Sequence, residues 1–454
     1  MKFSEFLDSV SAKPPVRQLR GLFSAHVAYP VAERMEKRHI RGKVAEMRRH
    51  YALPFAERLA LAQRRTQEIV AYAGQHVPYY RDLFKRIGFD PARLGSDPRY
   101  LQDLPYLDKE IIRAEGERLL SDELKGGPRH ERKTGGSTGL SCMIYYDQEA
   151  LDYSAAVVLF ARAAIGHTRS RSELHFACRF PDAQPGRWPT REDLKCLAMN
   201  RSNIFFDRLD AVGLEEMWRL LRLRRPYLIH GHPSTIHALA CHVEAQHPGE
   251  RAFEVFESSG ELLHPHQRQK IAQALGCRVI DRYGLAEFGV VAYELDGNSG
   301  DLQVLDSEAW PESLVSDADG TEELVFTGFR NRLMPLIRYR TGDLAHVERN
   351  ERGFFLRNVV GRMHDLIPIA GIPHPTHHVM DMLDHRVGSI QEFQIDVRSS
   401  PPTLRIVPEP GASEEQIRQR IEQFWPEGFL VEFVGADDFV RVGRHQKFRH
   451  LVHP

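Results

Sequence analysis

The feature that most limits the fold of this chain is an alternation of patterns between residues 151 and 294. Helical stretches there are separated by short apolar runs, Glu173-Leu-His-Phe-Ala, Tyr227-Leu-Ile-His and Arg278-Val-Ile. Such an alternation is typical of crossover units, in which consecutive strands lie parallel because a helix carries the chain back. It therefore predicts a largely parallel sheet with helices packed on it.

The regions on either side predict two other kinds of structure. From the N-terminus to about residue 130, apolar residues recur at helical spacing and prolines interrupt them, which predicts several helices joined by short turns. Between residues 300 and 357, the runs Glu323-Leu-Val-Phe-Thr and Phe354-Phe-Leu are bounded by glycine and acidic turns. We predict a β-rich subdomain there.

The last part of the chain has the pattern of a small α+β unit. Apolar runs at residues 387–397, 404–407 and 429–434 surround a predicted helix that ends at Phe424. Ser413 is the expected N-cap of this helix, because Glu415 and Gln416 follow it.

These patterns together predict an α/β protein with two domains. The large N-terminal domain, residues 1–362, comprises a helical region of about 1–130 and a core of about 131–362. In that core, mostly parallel sheets are flanked by helices and accompanied by the β-rich subdomain. A small α+β C-terminal domain, residues 363–454, completes the expected fold, and the resemblance described below implies that it is mobile.

Charge and cysteine content exclude several classes of protein. Lys and Arg number 61 against 62 Asp and Glu, so no overall field would concentrate nucleic acid or an anionic membrane. The five cysteines form no CxxC pair, so neither a disulfide framework nor a thiolate zinc site is indicated. No stretch approaches the roughly 18 apolar residues that span a bilayer. We expect a cytoplasmic protein with no nucleic-acid or membrane partner.

The first of four motifs that suggest chemistry is a loop of small residues, Lys133-Thr-Gly-Gly-Ser-Thr-Gly-Leu-Ser141. Glycine lets the backbone approach an anion closely, and the loop amides with the Ser137 and Thr138 hydroxyls can bind phosphate oxygens. The run lacks the lysine of a Walker A loop. Taken alone, it is better interpreted as a flexible surface loop.

The second motif is Val279-Ile-Asp-Arg-Tyr-Gly-Leu-Ala-Glu287, an apolar run that ends in an aromatic residue, a glycine and an acid. Ligands of open parallel sheets bind at the carboxyl ends of strands. Tyr283 offers a flat surface for a purine, and Glu287 offers the hard oxygen that magnesium prefers. An ordinary turn after a strand is the alternative.

The third motif joins Ile337-Arg-Tyr-Arg-Thr-Gly-Asp343 to Gly361-Arg-Met-His-Asp365. The Asp343 carboxylate can accept hydrogen bonds from both hydroxyls of a ribose, and Arg362 suits a ribose or phosphate oxygen. A surface salt bridge between these two side chains is the alternative.

The fourth motif, Arg444-His-Gln-Lys447-Phe-Arg449, indicates by itself only a solvated tail. In this order, however, the four motifs resemble the superfamily of adenylate-forming enzymes, which contains acyl-CoA synthetases, nonribosomal peptide adenylation domains and luciferases. The chain is most similar to the phenylacetate-CoA ligase branch, including the ligases of capsular-polysaccharide gene clusters. The segments that resemble this branch are His76-Val-Pro-Tyr-Tyr-Arg81, Leu104-Pro-Tyr-Leu-Asp-Lys109, His230-Gly-His-Pro-Ser234 and Glu392-Phe-Gln394.

The resemblance implies a role for each matching residue. Lys447 would be the catalytic lysine that bridges the attacking carboxylate and the α-phosphate, and Glu287 would act with it by binding Mg2+. The ATP- and AMP-binding set would be Thr134, Gly135, Gly136, Ser137, Thr138, Gly139, Gly260, Glu261, Asp281, Arg282, Tyr283, Gly284, Asp343 and Arg362. Neighbouring residues are candidates for the acyl pocket, and their aromatic content favours an aryl or compact acid: Tyr145, Tyr146, His232, Ser234 and Phe288.

Three positions depart from the family pattern. Leu140 replaces a residue that is commonly lysine, Ala286 replaces a threonine or serine, and His364 replaces an acidic hinge residue. These changes bear more on the second half-reaction than on ATP use. The run His374-Pro-Thr-His-His378 suggests a metal site, but its prolines make the spacing unlike that of a helical zinc motif, and a polar connection is the favoured interpretation.

The resemblance implies a two-step reaction that uses ATP and Mg2+. A carboxylic acid attacks the α-phosphate to give acyl-AMP and pyrophosphate, and an acceptor then takes the acyl group. Coenzyme A is the leading acceptor, and an amine, a hydroxyl or a carrier-protein thiol is the alternative within the same chemistry. A degenerate nucleotide-binding scaffold protein is the alternative from another class. The sequence leaves a homodimer open.

Overall fold

The computed structural model confirms the predicted α/β architecture. It describes residues 13–134, 142–177, 190–206, 209–297, 299–315, 322–360, 366–375, 379–380, 382–435, 438–442, 447–448 and 451–452. A five-stranded, a seven-stranded and a four-stranded sheet organise these residues. In the same ranges, no helix has both the length and the apolar content that a membrane span requires.

The N-terminal region is helical, as its periodicity predicts. Its helices are α1 (Pro14–Phe23), α2 (Tyr29–Met35), α3 (Ile40–Tyr51), α4 (Phe55–His76), α5 (Pro78–Ile87) and α6 (Lys109–Glu115). A π-helical turn lies at Ser24–Ala28, and 3-10 turns lie at Pro91–Gly95, Pro98–Asp103 and Gly116–Leu119. Pro78 occupies the first turn of α5, where its missing N–H removes no hydrogen bond, and Gly88 ends that helix with φ 67°. The Asp108 side chain caps α6 by accepting from the Ile111 amide.

The predicted parallel sheet is present in the middle of the chain. Its strands are β3 (Glu173–Ala177), β4 (Arg201–Phe205), β5 (Leu228–Gly231), β6 (Val255–Ser258) and β7 (Arg278–Ile280). They pair in the order β4-β3-β5-β6-β7, and every pair is parallel. The helix α7 (Gln148–Ala164) precedes β3, and the crossover helices between successive strands are α8 (Arg191–Ala198), α9 (Ala211–Arg224), α10 (Pro233–Gln246) and α11 (Pro265–Leu275).

Both faces of this sheet are covered, which explains why its strands are apolar runs rather than alternating ones. Val255 packs with α7 residues on one face, whereas Phe256 packs with Trp218 of α9 on the other. Trp218 and Phe256 are fully buried. Burying an aromatic side chain of phenylalanine size stabilises the fold by about 1.5–3 kcal/mol.

The predicted β-rich region is a seven-stranded antiparallel sheet. Its strands are β8 (Arg282–Leu285), β9 (Gly289–Tyr293), β10 (Leu302–Val304), β11 (Ala309–Val315), β12 (Glu322–Gly328), β13 (Tyr339–Asn350) and β14 (Gly353–Val360), paired in the order β11-β12-β13-β14-β10-β9-β8. The sheet therefore begins at Arg282, earlier than the sequence pattern indicates. The apolar run of residues 289–293 has no periodicity that assigns it to one sheet or the other. A separate hairpin is formed by β1 (His130–Lys133) and β2 (Met143–Tyr146).

The C-terminal part has its own apolar core and the α+β elements that its sequence predicts. Its elements are the hairpin β15 (Leu366–Ile369) and β16 (Ile372–Pro375), a π-helical turn at Leu383–Val387, β17 (Ile390–Asp396), β18 (Thr403–Pro408), α12 (Glu414–Phe424), β19 (Leu430–Phe433), β20 (Arg441–Val442), β21 (Lys447–Phe448) and β22 (Leu451–Val452). Ser413 caps α12 by accepting from the Gln416 amide, as predicted. Arg113 of α6 contacts β17, because its Nη1 donates to Glu392 Oε1 at 2.8 Å.

Candidate nucleotide-binding and catalytic site

The candidate site lies where the parallel sheet ends and the antiparallel sheet begins. Strands β5, β6 and β7 are neighbours, so the segments that follow their last residues emerge at one edge of the sheet. The Ser259 amide donates to the Gly231 carbonyl at 3.1 Å and ties two of these segments together. After Ile280 the chain crosses at Asp281 into β8 of the other sheet. Open parallel sheets bind their ligands at this edge.

Two side-chain bonds join the segment of residues 283–287 to β13. The Tyr283 hydroxyl donates to Asp343 Oδ2 at 2.6 Å, and the Tyr339 hydroxyl donates to Glu287 Oε1 at 2.5 Å. In the segments 283–287 and 339–343, the first residue of each is bonded to the last residue of the other, so the two segments lie antiparallel. The strands β8 and β13 are nevertheless not neighbours in the sheet order. Each of the two carboxylates is therefore held by a phenol from the opposite segment.

Asp343 is held in a defined orientation for the ribose role that the sequence predicts for it. Its side chain is 6% exposed, and the Tyr283 hydroxyl fixes one of its oxygens. Its amide donates to the Thr341 hydroxyl at 3.1 Å, and Gly342 between them has φ 79°, a conformation that favours glycine. Local backbone geometry and one phenol thus position this carboxylate.

Glu287 is buried beside a cation that sequence reasoning did not pair with it. The Lys109 ammonium lies 3.8 Å from Glu287 Oε1, and the two side chains are 9% and 5% exposed. Mg2+ binds one or two carboxylates together with phosphate oxygens and waters. One carboxylate fits that role as a single protein ligand for a metal that arrives with ATP. The Lys109 ammonium balances the charge of this carboxylate. In the sequence, the available indication of a role for Lys109 was its place at the end of the segment Leu104-Pro-Tyr-Leu-Asp-Lys109.

The small-residue loop is carried by the β1–β2 hairpin. Thr134 closes the base of the loop, because its hydroxyl accepts from the Cys142 amide at 2.9 Å and its own amide donates to the Cys142 carbonyl at 2.9 Å. The predicted phosphate ligands at residues 135–139, together with Leu140, lie outside the described residues.

Four predicted residues meet at the start of α10. Ser234 donates to Glu261 through its amide at 3.0 Å and its hydroxyl at 2.9 Å, so this carboxylate caps the helix N-terminus. Gly260 has φ 81°, and a Cβ there would lie only 2.7 Å from Nδ1 of the His232 ring. The predicted adenine-binding pair of Gly260 and Glu261 and the predicted acyl-pocket pair of His232 and Ser234 therefore form one patch.

The next two predicted residues, Asp281 and Arg282, face different surroundings. Burial raises the pKa of Asp281 to about 6, against the opposing effect of the Arg268 charge. The Arg282 guanidinium points back over the parallel sheet, where Nη2 donates to the Ser259 hydroxyl at 2.7 Å and to His230 Nε2 at 3.2 Å. Gly284, also predicted, lies in β8, where a Cβ would come within 2.9 Å of the Gly289 carbonyl oxygen.

A buried charge network under Arg282 was missed by sequence reasoning. Glu257 is fully buried and accepts from Arg162 at 3.0 and 2.6 Å and from the Tyr293 hydroxyl at 2.7 Å. His230 Nδ1 lies 2.9 Å from the same carboxylate. Burial alone would raise the pKa of Glu257, but Arg162 and Arg282 outweigh it and hold that pKa well below its ordinary value. In the sequence, the available indication of this network was Glu257 itself, an acidic residue within the apolar run of β6.

The aromatic candidates for the acyl pocket cluster around Glu287. The Tyr146 hydroxyl donates to the Ala286 carbonyl, and burial raises the pKa of Tyr146. The Phe288 ring lies 5.8 Å from the Tyr339 ring and 5.9 Å from the Phe326 ring, measured between centroids. Tyr145, on the same strand as Tyr146, is partly buried against the same core. Tyr146 and Phe288 therefore border Glu287, whereas His232 and Ser234 border Gly260.

The remaining predicted residues belong to the C-terminal side. The backbone of Lys447 lies in β21, where it pairs with Val442, and its side chain is outside the described residues. Arg362, His364 and Asp365 are outside them as well. His374 lies in β16 with its side chain 8% exposed, and residues 376–378 are not described.

Known proteins similar to this chain include phenylacetate-coenzyme A ligases and Protein CapK. Phenylacetate-coenzyme A ligase of Thermus thermophilus is 26% identical over 408 residues, which cover 80% of this chain and 86% of that protein. Protein CapK of Staphylococcus aureus is 21% identical over 320 residues, 68% of each chain. No protein-family model matches the chain.

The fold is shared with a solved enzyme of this kind. The structure of 2-hydroxyisobutyryl-CoA ligase in complex with 2-HIB-AMP and CoA matches with a TM-score of 0.54 and 19% identity, covering 89% of this chain and 91% of that one. The ordered motifs, the sheets that carry them and these relatives agree. In sequence the chain is therefore similar to the phenylacetate-CoA ligase-like branch of the adenylate-forming superfamily, and it shares the fold of an acyl-CoA ligase.

Proposed function

We propose that this protein uses ATP to convert a carboxylic acid into its acyl-adenylate and then transfers the acyl group to coenzyme A. The observation that carries the proposal is the pair of carboxylates, Asp343 and Glu287, that two tyrosines hold along one surface at the edge of the parallel sheet. A nucleotide bound along this surface would meet Asp343 with its ribose and Glu287 with its phosphates. The similarity to phenylacetate-CoA ligases over 80% of the chain supports the same reaction.

The chemistry assigned to the site is in-line displacement at phosphorus. Asp343 binds the ribose, and the patch of Gly260 and Glu261 frames the base. The loop of residues 134–139 and Arg362 bind the phosphates and the ribose. Mg2+, when bound at Glu287, neutralises phosphate charge. Positioning and charge neutralisation supply most of the acceleration in reactions of this type, and we assign to Lys447 the task of meeting the carboxylate and the α-phosphate together.

An aryl or compact acid is the proposed substrate class. Tyr146 and Phe288 place aromatic surface beside Glu287, where the phosphates and the reacting carboxylate would meet. The acceptor is proposed to be coenzyme A because the ligases similar to this chain are named for it. Transfer to an amine, a hydroxyl or a carrier-protein thiol needs the same first step. Use of ATP and coenzyme A favours a cytoplasmic location.

The deciding experiment is carboxylate-dependent exchange of pyrophosphate into ATP across aryl, hydroxy, fatty and amino acids, with and without Mg2+. We expect exchange with a subset of aryl or compact acids, and acyl-CoA formation when coenzyme A is added to that subset. Asp343→Asn is the control, because at subsaturating ATP it should lower exchange that occurs at this site, whereas exchange by a contaminating ligase would be unchanged. Exchange without acyl-CoA would indicate another acceptor. ATP binding with no exchange on any acid would favour the scaffold alternative and refute the proposal.

A further inference from the structure

Away from the nucleotide site, two imidazoles and a carboxylate converge where α9 faces α10. Glu215 lies on α9, His242 lies on α10, and His247 is the residue that directly follows α10. Nε2 of His242 is 3.0 Å from Glu215 Oε2, and Nε2 of His247 is 2.7 Å from the same oxygen. The three atoms all lie within 4.8 Å of one another.

This spacing is close to that of three ligands on one tetrahedral metal ion. Two ligands that are each about 2.0–2.1 Å from a tetrahedral zinc ion lie roughly 3.3 Å from each other. The two nitrogen-to-oxygen distances therefore need to open by only a few tenths of an ångström to admit an ion. Two histidines and one glutamate, with the fourth position left to water, are a ligand set that zinc uses in proteins.

The surroundings of His247 resemble the outer shell of a metal site. Its second ring nitrogen, Nδ1, lies 3.7 Å from Glu250 Oε1. Glu250 is itself fixed, because Trp218 Nε1 donates to it at 3.1 Å and Arg222 Nη1 donates to it at 3.0 Å. Histidines that bind metals commonly direct their other nitrogen to such a carboxylate, which sets the ring orientation and the tautomer.

The access to these side chains also suits a metal ion. The Arg222 Nη2 atom lies 3.8 Å from Oε1 of Glu215, on the oxygen that the imidazoles do not use. The side chains of His242 and His247 are 10% and 18% exposed, and that of Glu215 is 44% exposed. An ion can therefore reach ligands that packing already orients.

We propose that Glu215, His242 and His247 form a binding site for a divalent transition-metal ion, with zinc as the best fit, that clamps α9 to α10. Imidazole nitrogen selects zinc, cobalt or nickel over magnesium or calcium. The role is structural, since bonds from the ion to the three side chains replace the two hydrogen bonds between the imidazoles and Glu215, and so join two successive helices. It is separate from any metal that accompanies ATP at Glu287.

The test uses tag-free full-length protein, treated with a chelator and freed of it, without ATP, acid or coenzyme A. Titration with Co2+ is expected to give the visible absorption of a tetrahedral site at one ion per chain. Zn2+ should displace it and raise the melting temperature. His242→Ala and the volume-preserving Glu215→Gln should each weaken Zn2+ affinity by a factor of about 100 or more, since even outer-shell losses weaken metal sites by about 10- to 100-fold.

The matched control is His237→Ala on the same helix. His237 Nε2 lies 4.0 Å from Cys241 Sγ, and its ring lies 5.7 Å from that of His266, so these residues form the rival cluster. This variant should bind Co2+ and Zn2+ as the unmodified protein does. The proposal is overturned if the protein takes up neither ion at micromolar concentration, or if His237→Ala loses binding while His242→Ala and Glu215→Gln retain it. Circular dichroism of the metal-free variants checks that each is folded.

Discussion

Replacing Tyr283 by Phe tests how Asp343 is positioned for ATP. The substitution removes only the hydroxyl that donates to Asp343 Oδ2 at 2.6 Å and leaves the ring, which packs beside Phe326. A hydrogen bond to a charged group contributes about 1.5–3 kcal/mol, and 1.4 kcal/mol is a factor of ten in affinity. If the phenol orients the carboxylate for the ribose, the ATP dissociation constant should rise about tenfold, with the fold intact.

Combining this change with Asp343→Asn gives the decisive measurement. Asp343→Asn alone should weaken ATP binding by about ten- to a hundredfold, because charged bonds to the ribose hydroxyls are lost. The double variant should bind ATP about as Asp343→Asn does, since the phenol has no carboxylate left to orient. The loss of ATP-binding free energy in the double variant would then be about 1.5 kcal/mol smaller than the sum of the two single losses, a difference that a double-mutant cycle detects.

The assay is calorimetric titration with ATP, supported by the Michaelis constant for ATP in pyrophosphate exchange. Tyr153→Phe is the matched control, because its hydroxyl donates to Glu46 Oε2 at 2.7 Å and connects α7 to α3 instead. That variant should bind ATP normally. Independent, additive losses from Tyr283→Phe and Asp343→Asn, or no loss from Tyr283→Phe, would refute the positioning argument.

Three further outcomes are expected. Lys447→Ala should lower pyrophosphate exchange by a factor on the order of a hundred, because the ammonium stabilises charge only in the first transition state. The variant should still convert synthetic acyl-AMP to acyl-CoA at nearly the normal rate. Equal loss of both steps would contradict this role. Phe288→Ala or His232→Ala should change the ranking of acids more than the Michaelis constant for ATP, and a uniform loss across all acids would indicate a structural role instead. Asp281→Asn should stabilise the protein against urea by up to about 3 kcal/mol above pH 6, because a folded-state pKa of about 6 against an ordinary 3.8 means that ionisation of this carboxyl opposes folding. That gain should disappear below about pH 4, where the carboxyl is protonated in both states; a gain that is constant with pH would show that burial does not raise this pKa.

The sequence by itself determined the features that depend on neighbours along the chain. Helical periodicity and prolines predicted the N-terminal helices, and short apolar runs between helical stretches predicted β3, β5 and β7 of the parallel sheet. The Ser413 cap was predicted from Ser413 and from Glu415 and Gln416 just after it, and the structure confirms it. The family could be recognised from the order of four short motifs, because each motif is local. These features follow from period and capping chemistry, which a linear sequence displays directly.

Only the tertiary structure decided which functional side chains touch. The bonds of Tyr283 with Asp343 and of Glu287 with Tyr339 join β8 and the turn that follows it to β13, which is not a neighbour of β8 in the sheet. These contacts depend on the register of the antiparallel sheet, which shifts in the pairing of β12 with β13. No period in the sequence encodes a register shift, because one extra residue changes which face every later side chain occupies.

The same reason explains the charged groups that sequence reasoning left unassigned. Lys109 lies 178 positions before Glu287 in the sequence, yet its ammonium is 3.8 Å from that carboxylate. Glu257 and Arg162 lie in separate elements, and His242 and His247 meet Glu215 only because α9 and α10 lie side by side. A buried charge is costly unless it is paired, but the identity of its partner depends on packing between elements that are distant in sequence. Sequence patterns thus identified the residue types and their strands, and three-dimensional packing selected the partners.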